Sequence, residues 1–185
     1  MFHWRAAFAS IAAIVISSDV AAQSAIPKCF APFATLVGDR TFARYTVDVS
    51  RSKPVPPDVS EGVAHTYRTV IREGAKLGPN FAGHYTIIEI GCGAATSCVA
   101  IADAITGHVY LPSNLRSATA LLWDTGQFDL KRLTYRPDSR LLIVAGEPNE
   151  NENRAGLSYY RWNGSQLILM RFVPATVLCK RSTKL

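Results

Sequence analysis

The chain has 185 residues, of which 48% are hydrophobic and 18% charged, and its formal net charge at pH 7 is +6. This composition supports a folded chain with an apolar core of its own and excludes an intrinsically disordered protein. Its four cysteines are too few to replace such a core. The Lys and Arg residues are scattered and form no nucleic-acid-binding motif, so we expect no nucleic acid partner.

The first 22 residues have the features of a cleavable signal peptide. One Arg in MFHWR precedes the apolar run AAFASIAAIVISS, and Val20-Ala21-Ala22 fits the small-x-small cleavage rule. The apolar run is too short to span about 30 Å of hydrocarbon. We therefore expect cleavage after Ala22 and no transmembrane segment in the mature chain. Residues 23–185 would then form a single globular domain that is periplasmic or secreted.

A helix is predicted over about 60–76. Asp58 or Ser60 can cap the start. The apolar residues that recur at helical spacing are Val63, Tyr67, Val70, Ile71 and Ala75. This helix would cover one face of a sheet.

Most of the remaining chain reads as antiparallel strands. The turn sequences PDS (137–139) and NGS (163–165) each separate two apolar runs, which is typical of hairpins. The fold class is therefore α+β: an antiparallel β-meander sheet of about six to eight strands, with the 60–76 helix packed on one face. The predicted strands are 43–50, 84–90, 99–103, 108–111, 132–137, 140–146, 157–162 and 166–172, with a helical or irregular stretch over 115–128.

The cysteine spacing favours disulfides over redox or metal chemistry. Cys92 and Cys98 in GCGAATSC have a Cys-x₅-Cys spacing, unlike the Cys-x-x-Cys of thioredoxin-type sites, and no further ligand pair completes a zinc site. In an oxidising compartment we expect Cys92 to pair with Cys98 and Cys29 with Cys179. The two other connectivities remain open, and no metal or cofactor is expected.

Pairing Cys92 directly opposite Cys98 would set the register of the hairpin. Glu89 would then face Ile101, and Glu89 and Asp103 would be diagonal neighbours about 7–8 Å apart on one face. Two carboxylates at that distance could act as general acid and base on a glycosidic bond.

Each of these carboxylates also has a structural interpretation. Asp103 can accept hydrogen bonds from turn amides near 106–107. Glu89, if it is buried, must pair with a cation such as Arg136 or Arg161.

The start of the same strand carries further candidates. His84 follows the Gly-containing GPNFAG and could act as a base or bind a ligand, or its imidazole could satisfy loop carbonyls. Tyr85 and Arg136 are candidate ligand-binding residues.

The loop EPNENENR (147–154) alternates Asn with Glu, which raises the possibility of calcium binding by 147–153. The EF-hand pattern requires Gly at its sixth position and Glu at its twelfth, and neither fits. A solvated hairpin tip is the alternative.

The runs REGAKLGPNFAGHYTIIEIGCG (72–93) and YRPDSRLLIV (135–144) resemble small, exported, uncharacterised proteins of Gram-negative bacteria. The resemblance implies export and a bacterial source, and it brings no activity with it.

Function is the least determined property of the sequence. The leading interpretation is an exported, non-enzymatic domain that binds a partner, either an envelope component or a foreign hydrolase that it inhibits. The alternative is an envelope polysaccharide hydrolase in which Glu89 acts as acid or base with His84.

Overall fold

The computed structural model describes residues 38–120 and 131–181, apart from the side chains of Asp39 and of 179–181. The predicted signal peptide, Cys29 and the side chain of Cys179 lie outside the described residues.

One antiparallel sheet of eight strands dominates the structure. The strand order is β1-β2-β4-β6-β7-β8, with β3 paired to β2 and β5 paired to β6. The predicted α+β meander is confirmed. The strands are β1 Tyr85–Gly93, β2 Thr96–Asp103, β3 Val109–Tyr110, β4 Ser117–Ala120, β5 Leu133–Thr134, β6 Leu141–Pro148, β7 Gly156–Trp162 and β8 Leu167–Pro174. The helices are α1 Asp39–Phe42, α2 Gly62–Thr66, α3 Arg68–Lys76 and α4 Ala175–Arg181.

The predicted 60–76 helix is two helices, α2 and α3, because Tyr67 leaves helical geometry at φ −98° and ψ 18°. Neither helix has a side-chain cap. The Asp58 carboxylate instead accepts hydrogen bonds from the amide and hydroxyl of Ser60, which forms a turn ahead of α2.

On α3, Ile71 and Ala75 are buried against β1 and β2, so the helix packs on one face of the sheet as predicted. Val63 and Val70 are 56% and 43% exposed, so the predicted apolar face is wider than the face that packs.

The prediction of a strand over 43–50 is wrong. Residues Ala43–Tyr45 form a 3-10 turn, and only Thr46 makes an isolated bridge, to Ser139. The backbone of 47–50 hydrogen-bonds to loop carbonyls instead of to a neighbouring strand. Alternation alone cannot distinguish an extended segment that follows loops from one that joins a sheet. The segment Ser117–Ala120, expected to be helical or irregular, is β4.

The predicted disulfide joins Cys92 to Cys98, with the Cα atoms 5.7 Å apart. The predicted register is wrong, because Ile90 and not Cys92 faces Cys98, and the ladder shifts between Gly91 and Gly93. The short turn at the hairpin tip and this irregularity set the pairing, and the disulfide follows from it. Glu89 consequently faces Val99.

Alternate side chains of β6 and β7 enter different apolar clusters. Leu142 and Val144 pack on one face, with Tyr160 and Trp162 of β7. Leu141, Ile143, Leu157 and Tyr159 pack on the other, together with Phe42 and Leu178. The period of two along a strand thus gives this part of the sheet two buried faces.

Replacing Ile71 tests the packing of α3. Ile71 is 0% exposed, so Ile71→Ala should lower the free energy of unfolding by about 2–4 kcal/mol through lost burial and a cavity. The neighbouring Val70 is 43% exposed, and Val70→Ala should change it by less than about 0.5 kcal/mol. Urea denaturation measures both, and equal losses would contradict the observed helix face.

Removing the disulfide tests its contribution. The double substitution Cys92→Ser/Cys98→Ser should destabilise the fold by at most about 2.4 kcal/mol, because the closed loop is short. Urea denaturation gives the change, and mass spectrometry of the non-reduced parent protein should find no free thiol at either position. A free thiol at either position would contradict the Cys92–Cys98 disulfide.

Candidate functional site

Asp103 and His84 lie together at one end of the β1–β2 hairpin. Asp103 is buried and accepts hydrogen bonds from the amides of Ile105 (2.8 Å) and Thr106 (3.3 Å), the turn role expected for it. Its Oδ1 lies 3.8 Å from Nε2 of His84. Gly107 completes the turn at φ +78°, a conformation that glycine adopts without strain.

Three rings, Tyr85, Tyr110 and Trp162, form what we call the aromatic cluster. Trp162 has its ring centroid 5.2 Å from those of both tyrosines, in edge-to-face geometry. His84 stacks on Tyr85 at 4.2 Å and His108 meets Tyr110 at 4.4 Å. The cluster therefore joins residues from β1, β3 and β7, which are distant in sequence.

Tyr85 and Trp162 are the buried members of this cluster. The Tyr85 hydroxyl donates to the Gly164 carbonyl over 3.4 Å, and burial raises the pKa of Tyr85 above its ordinary value. Nε1 of Trp162 is buried and has no hydrogen bond of good geometry within the described part of the chain. Its polar neighbour is the Tyr85 hydroxyl. This contact lowers the pKa of Tyr85, in opposition to the larger effect of burial.

A cleft of about 510 Å³, the Tyr110 cleft, opens beside the aromatic cluster. One wall is the segment 108–114, and the other is Ser165 and Gln166 from the turn between β7 and β8. Tyr110 is half-buried, so its ring both contacts Trp162 and lines the cleft.

Side-chain amides hold the first wall of the Tyr110 cleft in place. Asn114 donates through Nδ2 to the Leu167 carbonyl of β8. Asn149 accepts from the Arg116 amide at 2.7 Å and donates to the Ser113 carbonyl at 3.3 Å. The 3-10 turn Ser113–Leu115 is thus anchored from two directions.

The same bonds bear on the loop 147–153. The Oδ1 atom of Asn149 serves the wall of the cleft, and that of Asn151 accepts from the Asn153 amide. These side chains therefore stabilise loop backbone. Among the described residues, no group of three or more His, Cys, Asp or Glu side chains could hold a metal ion.

Asn163 organises the second wall. Its Oδ1 accepts hydrogen bonds from the amides of Ser165 (3.0 Å) and Gln166 (2.8 Å), and Gly164 takes φ +106°. The predicted NGS hairpin is therefore present, and it presents Ser165 and Gln166 to the cleft.

Three polar groups on residues that line the cleft have no hydrogen-bond partner among the described residues. The hydroxyls of Tyr110 and Ser113 and the side-chain amide of Gln166 make no hydrogen bond to any described residue. A ligand with donors and acceptors around its edge could bond to all three.

Glu89 lies elsewhere on the sheet. Much of the Glu89 surface is exposed to solvent, although neighbouring protein partly covers its carboxylate. Tyr135 donates a hydrogen bond to that carboxylate. Its pKa is above the ordinary value for glutamate because neighbouring protein desolvates the carboxylate, while nearby Arg132 and Lys131 and the Tyr135 bond act in the opposite direction.

The predicted cationic partners of Glu89 were wrong. Neither Arg136 nor Arg161 contributes to its electrostatics. Arg136 instead places its guanidinium 4.6 Å from the centre of the Phe42 ring.

The structure does not bring the predicted catalytic groups together. Glu89 follows Tyr85 by four residues, which is about 13 Å of strand. Because Tyr85 faces Asp103, both Asp103 and the adjacent His84 are at the far end of the hairpin from Glu89. The predicted diagonal pair of carboxylates, Glu89 and Asp103, is therefore absent.

Comparisons with models of known protein families, with curated proteins and with solved structures find no match to the chain. No helix among the described residues is both long and apolar enough to cross a bilayer. A functional proposal thus depends on the geometry of the described clefts and side chains.

Sequence reasoning found Tyr85 and missed Tyr110, Trp162 and Gln166. Tyr110 belongs to a two-residue strand, and Gln166 follows a turn that was predicted only as a connection. The sequence signal for Gln166 is a polar residue directly after a hairpin turn. The opposite wall of the cleft, 108–114, lies more than 50 positions earlier in the chain, so the sequence does not show that the two belong to one site.

Glu89→Gln should remove a contribution to the free energy of unfolding that decreases as pH rises. A folded-state pKa above the unfolded value favours folding when the carboxyl is protonated, and this contribution is lost as pH rises through the folded-state pKa. Gln can still accept from Tyr135, so the stability of the variant relative to the parent should rise between acidic and neutral pH. Denaturation at several pH values measures this. The matched control Glu152→Gln makes the same charge change on an exposed turn, and an equal trend in both variants would contradict the local cause.

Proposed function

We propose that this protein is an exported, non-enzymatic domain that binds a carbohydrate component of the cell envelope in the Tyr110 cleft. The observation that carries the proposal is an aromatic wall combined with three polar groups that have no internal partner. A sugar ring has C–H groups on its faces and hydroxyls around its edge, so it can pack on Tyr110 while bonding to Ser113 and Gln166.

The anchoring of both walls supports binding. Asn114 and Asn149 hold one wall, and Asn163 holds the other, through hydrogen bonds that exist without ligand. Less conformational freedom is then lost when a ligand binds, which favours affinity.

Two features support action outside the cytoplasm. Residues 1–22 have the pattern of a signal peptide, and the Cys92–Cys98 disulfide is the state expected of thiols in an oxidising compartment.

The composition of the cleft favours binding over hydrolysis. Polysaccharide hydrolysis generally uses two carboxyl groups on either side of the bond to be broken. The residues that line the Tyr110 cleft include no Asp or Glu. Glu89 and His84, the residues of the alternative hydrolase, do not lie together, so nothing in the geometry favours that alternative.

Tyr110→Phe and Gln166→Ala test this proposal. Each removes one hydrogen-bonding group and should weaken binding by about twofold to tenfold. The probes are chitotetraose, soluble peptidoglycan fragments and lipopolysaccharide core oligosaccharide, titrated into the mature chain by calorimetry. We expect at least one probe to bind.

Tyr67→Phe is the matched control, because it removes a hydroxyl from a half-buried tyrosine outside the cleft. It should leave affinity unchanged. The proposal fails if none of the three probes releases or absorbs heat at millimolar concentration, or if the control weakens binding as much as Tyr110→Phe.

A further inference from the structure

A second cleft, of about 450 Å³, lies on the opposite face of β6 and β7 from the aromatic cluster. We call it the arginine cleft, because Arg40, Arg44 and Arg171 line it. Leu141 and Tyr159 form its buried floor, whereas Trp162 and Tyr160 of the same strands face the other way. This cleft is independent of the Tyr110 cleft.

The charges of the arginine cleft are not balanced within the described residues. The residues that line it include no Asp or Glu, and among the side chains that the structure describes no carboxylate lies within salt-bridge distance of Arg40, Arg44 or Arg171. Three guanidinium groups repel one another when they share a concave surface, and an anion between them would remove that repulsion.

The three arginines come from two separate segments of the chain. Arg40 and Arg44 flank Phe42, which is buried and whose carbonyl accepts from the Ser139 hydroxyl at 3.1 Å. The Tyr45 carbonyl accepts from the Arg140 amide at 2.8 Å. The arginine-bearing segment is therefore docked firmly against the sheet.

Arg171 belongs to β8. Its guanidinium lies 5.6 Å from the centre of the Tyr159 ring, a cation–π arrangement that directs the side chain over the floor. Met170 beside it is 47% exposed and offers apolar surface at the rim.

We propose that the arginine cleft binds a terminal phosphate group, carried by a soluble sugar phosphate or diphosphate or by a lipid whose head group is a phosphomonoester. A phosphate monoester carries about −1.5 to −2 charges at pH 7 and three acceptor oxygens, which three guanidinium forks can satisfy. A carboxylate offers one charge and two oxygens and would leave part of the cluster unpaired. Tyr45 and Met170 contact the sugar or lipid portion of the ligand.

Calorimetry on the mature chain with sodium pyrophosphate and glucose 1-phosphate tests the soluble source. Co-sedimentation with vesicles that contain phosphatidic acid, whose head group is a phosphomonoester, compared with phosphatidylcholine vesicles, tests the lipid source. We expect binding in at least one arm, weakened by added salt because the contact is ionic. Binding in the first arm alone assigns a soluble ligand, and binding to phosphatidic acid alone assigns a lipid. No binding in either arm would overturn the inference.

Substitutions locate the contact. Arg44→Gln and Arg171→Gln should each weaken binding by about tenfold or more, and Arg171→Lys should retain part of it, because a charged hydrogen bond is lost or loses its fork geometry. The matched control Arg51→Gln removes one charge from an exposed loop outside the cleft and should leave affinity nearly unchanged.

An equal loss in Arg51→Gln and Arg44→Gln would mean that the net charge of +6 attracts the anion without a site, and would overturn the inference. Acetate that competes as well as pyrophosphate would overturn the preference for phosphate. The three cleft arginines are exposed, so the variants should keep the parental melting temperature.

Discussion

Burial of both faces of β6 is the constraint on which the rest of the molecule depends. Leu142 and Val144 are buried on one face, and Leu141 and Ile143 on the other, so β6 must be covered twice. The aromatic cluster covers one side and the segment around Phe42 covers the other. One cleft lies beside each of these covering layers. The two candidate binding surfaces are therefore on opposite faces of a single sheet.

Asparagine side chains turn this scaffold into defined surfaces. Asn149 and Asn163 each bond to backbone amides of neighbouring loops or turns. Asn114 reaches across to β8. An Asn can hold a turn because its amide imitates a backbone peptide group. Asn149 and Asn151 of the oxygen-rich loop 147–154, which invites a metal-binding interpretation, thus bond to backbone groups. The walls of the Tyr110 cleft are held in place before any ligand arrives.

In the β1–β2 hairpin, sequence reasoning predicted contacts between residues close in sequence but not the register of the two strands. It predicted the turn role of Asp103 and the Cys92–Cys98 bond, because both depend on residues close in sequence. It misplaced Glu89 relative to Asp103, because an irregularity between Gly91 and Gly93 shifts the ladder. A shift of this kind moves every cross-strand neighbour, and no local pattern reveals it.

The sequence by itself determined the α+β class, the packing of a helix on the sheet, most hairpins and the Cys92–Cys98 disulfide. These follow from local turn chemistry and from hydrophobic periodicity over a few residues. Only the tertiary structure decided that Tyr110 and Gln166 line one cleft and that Arg44 and Arg171 line another. Such meetings depend on strand order and register, which are fixed by the summed burial of many distant side chains and by local irregularities in the ladders.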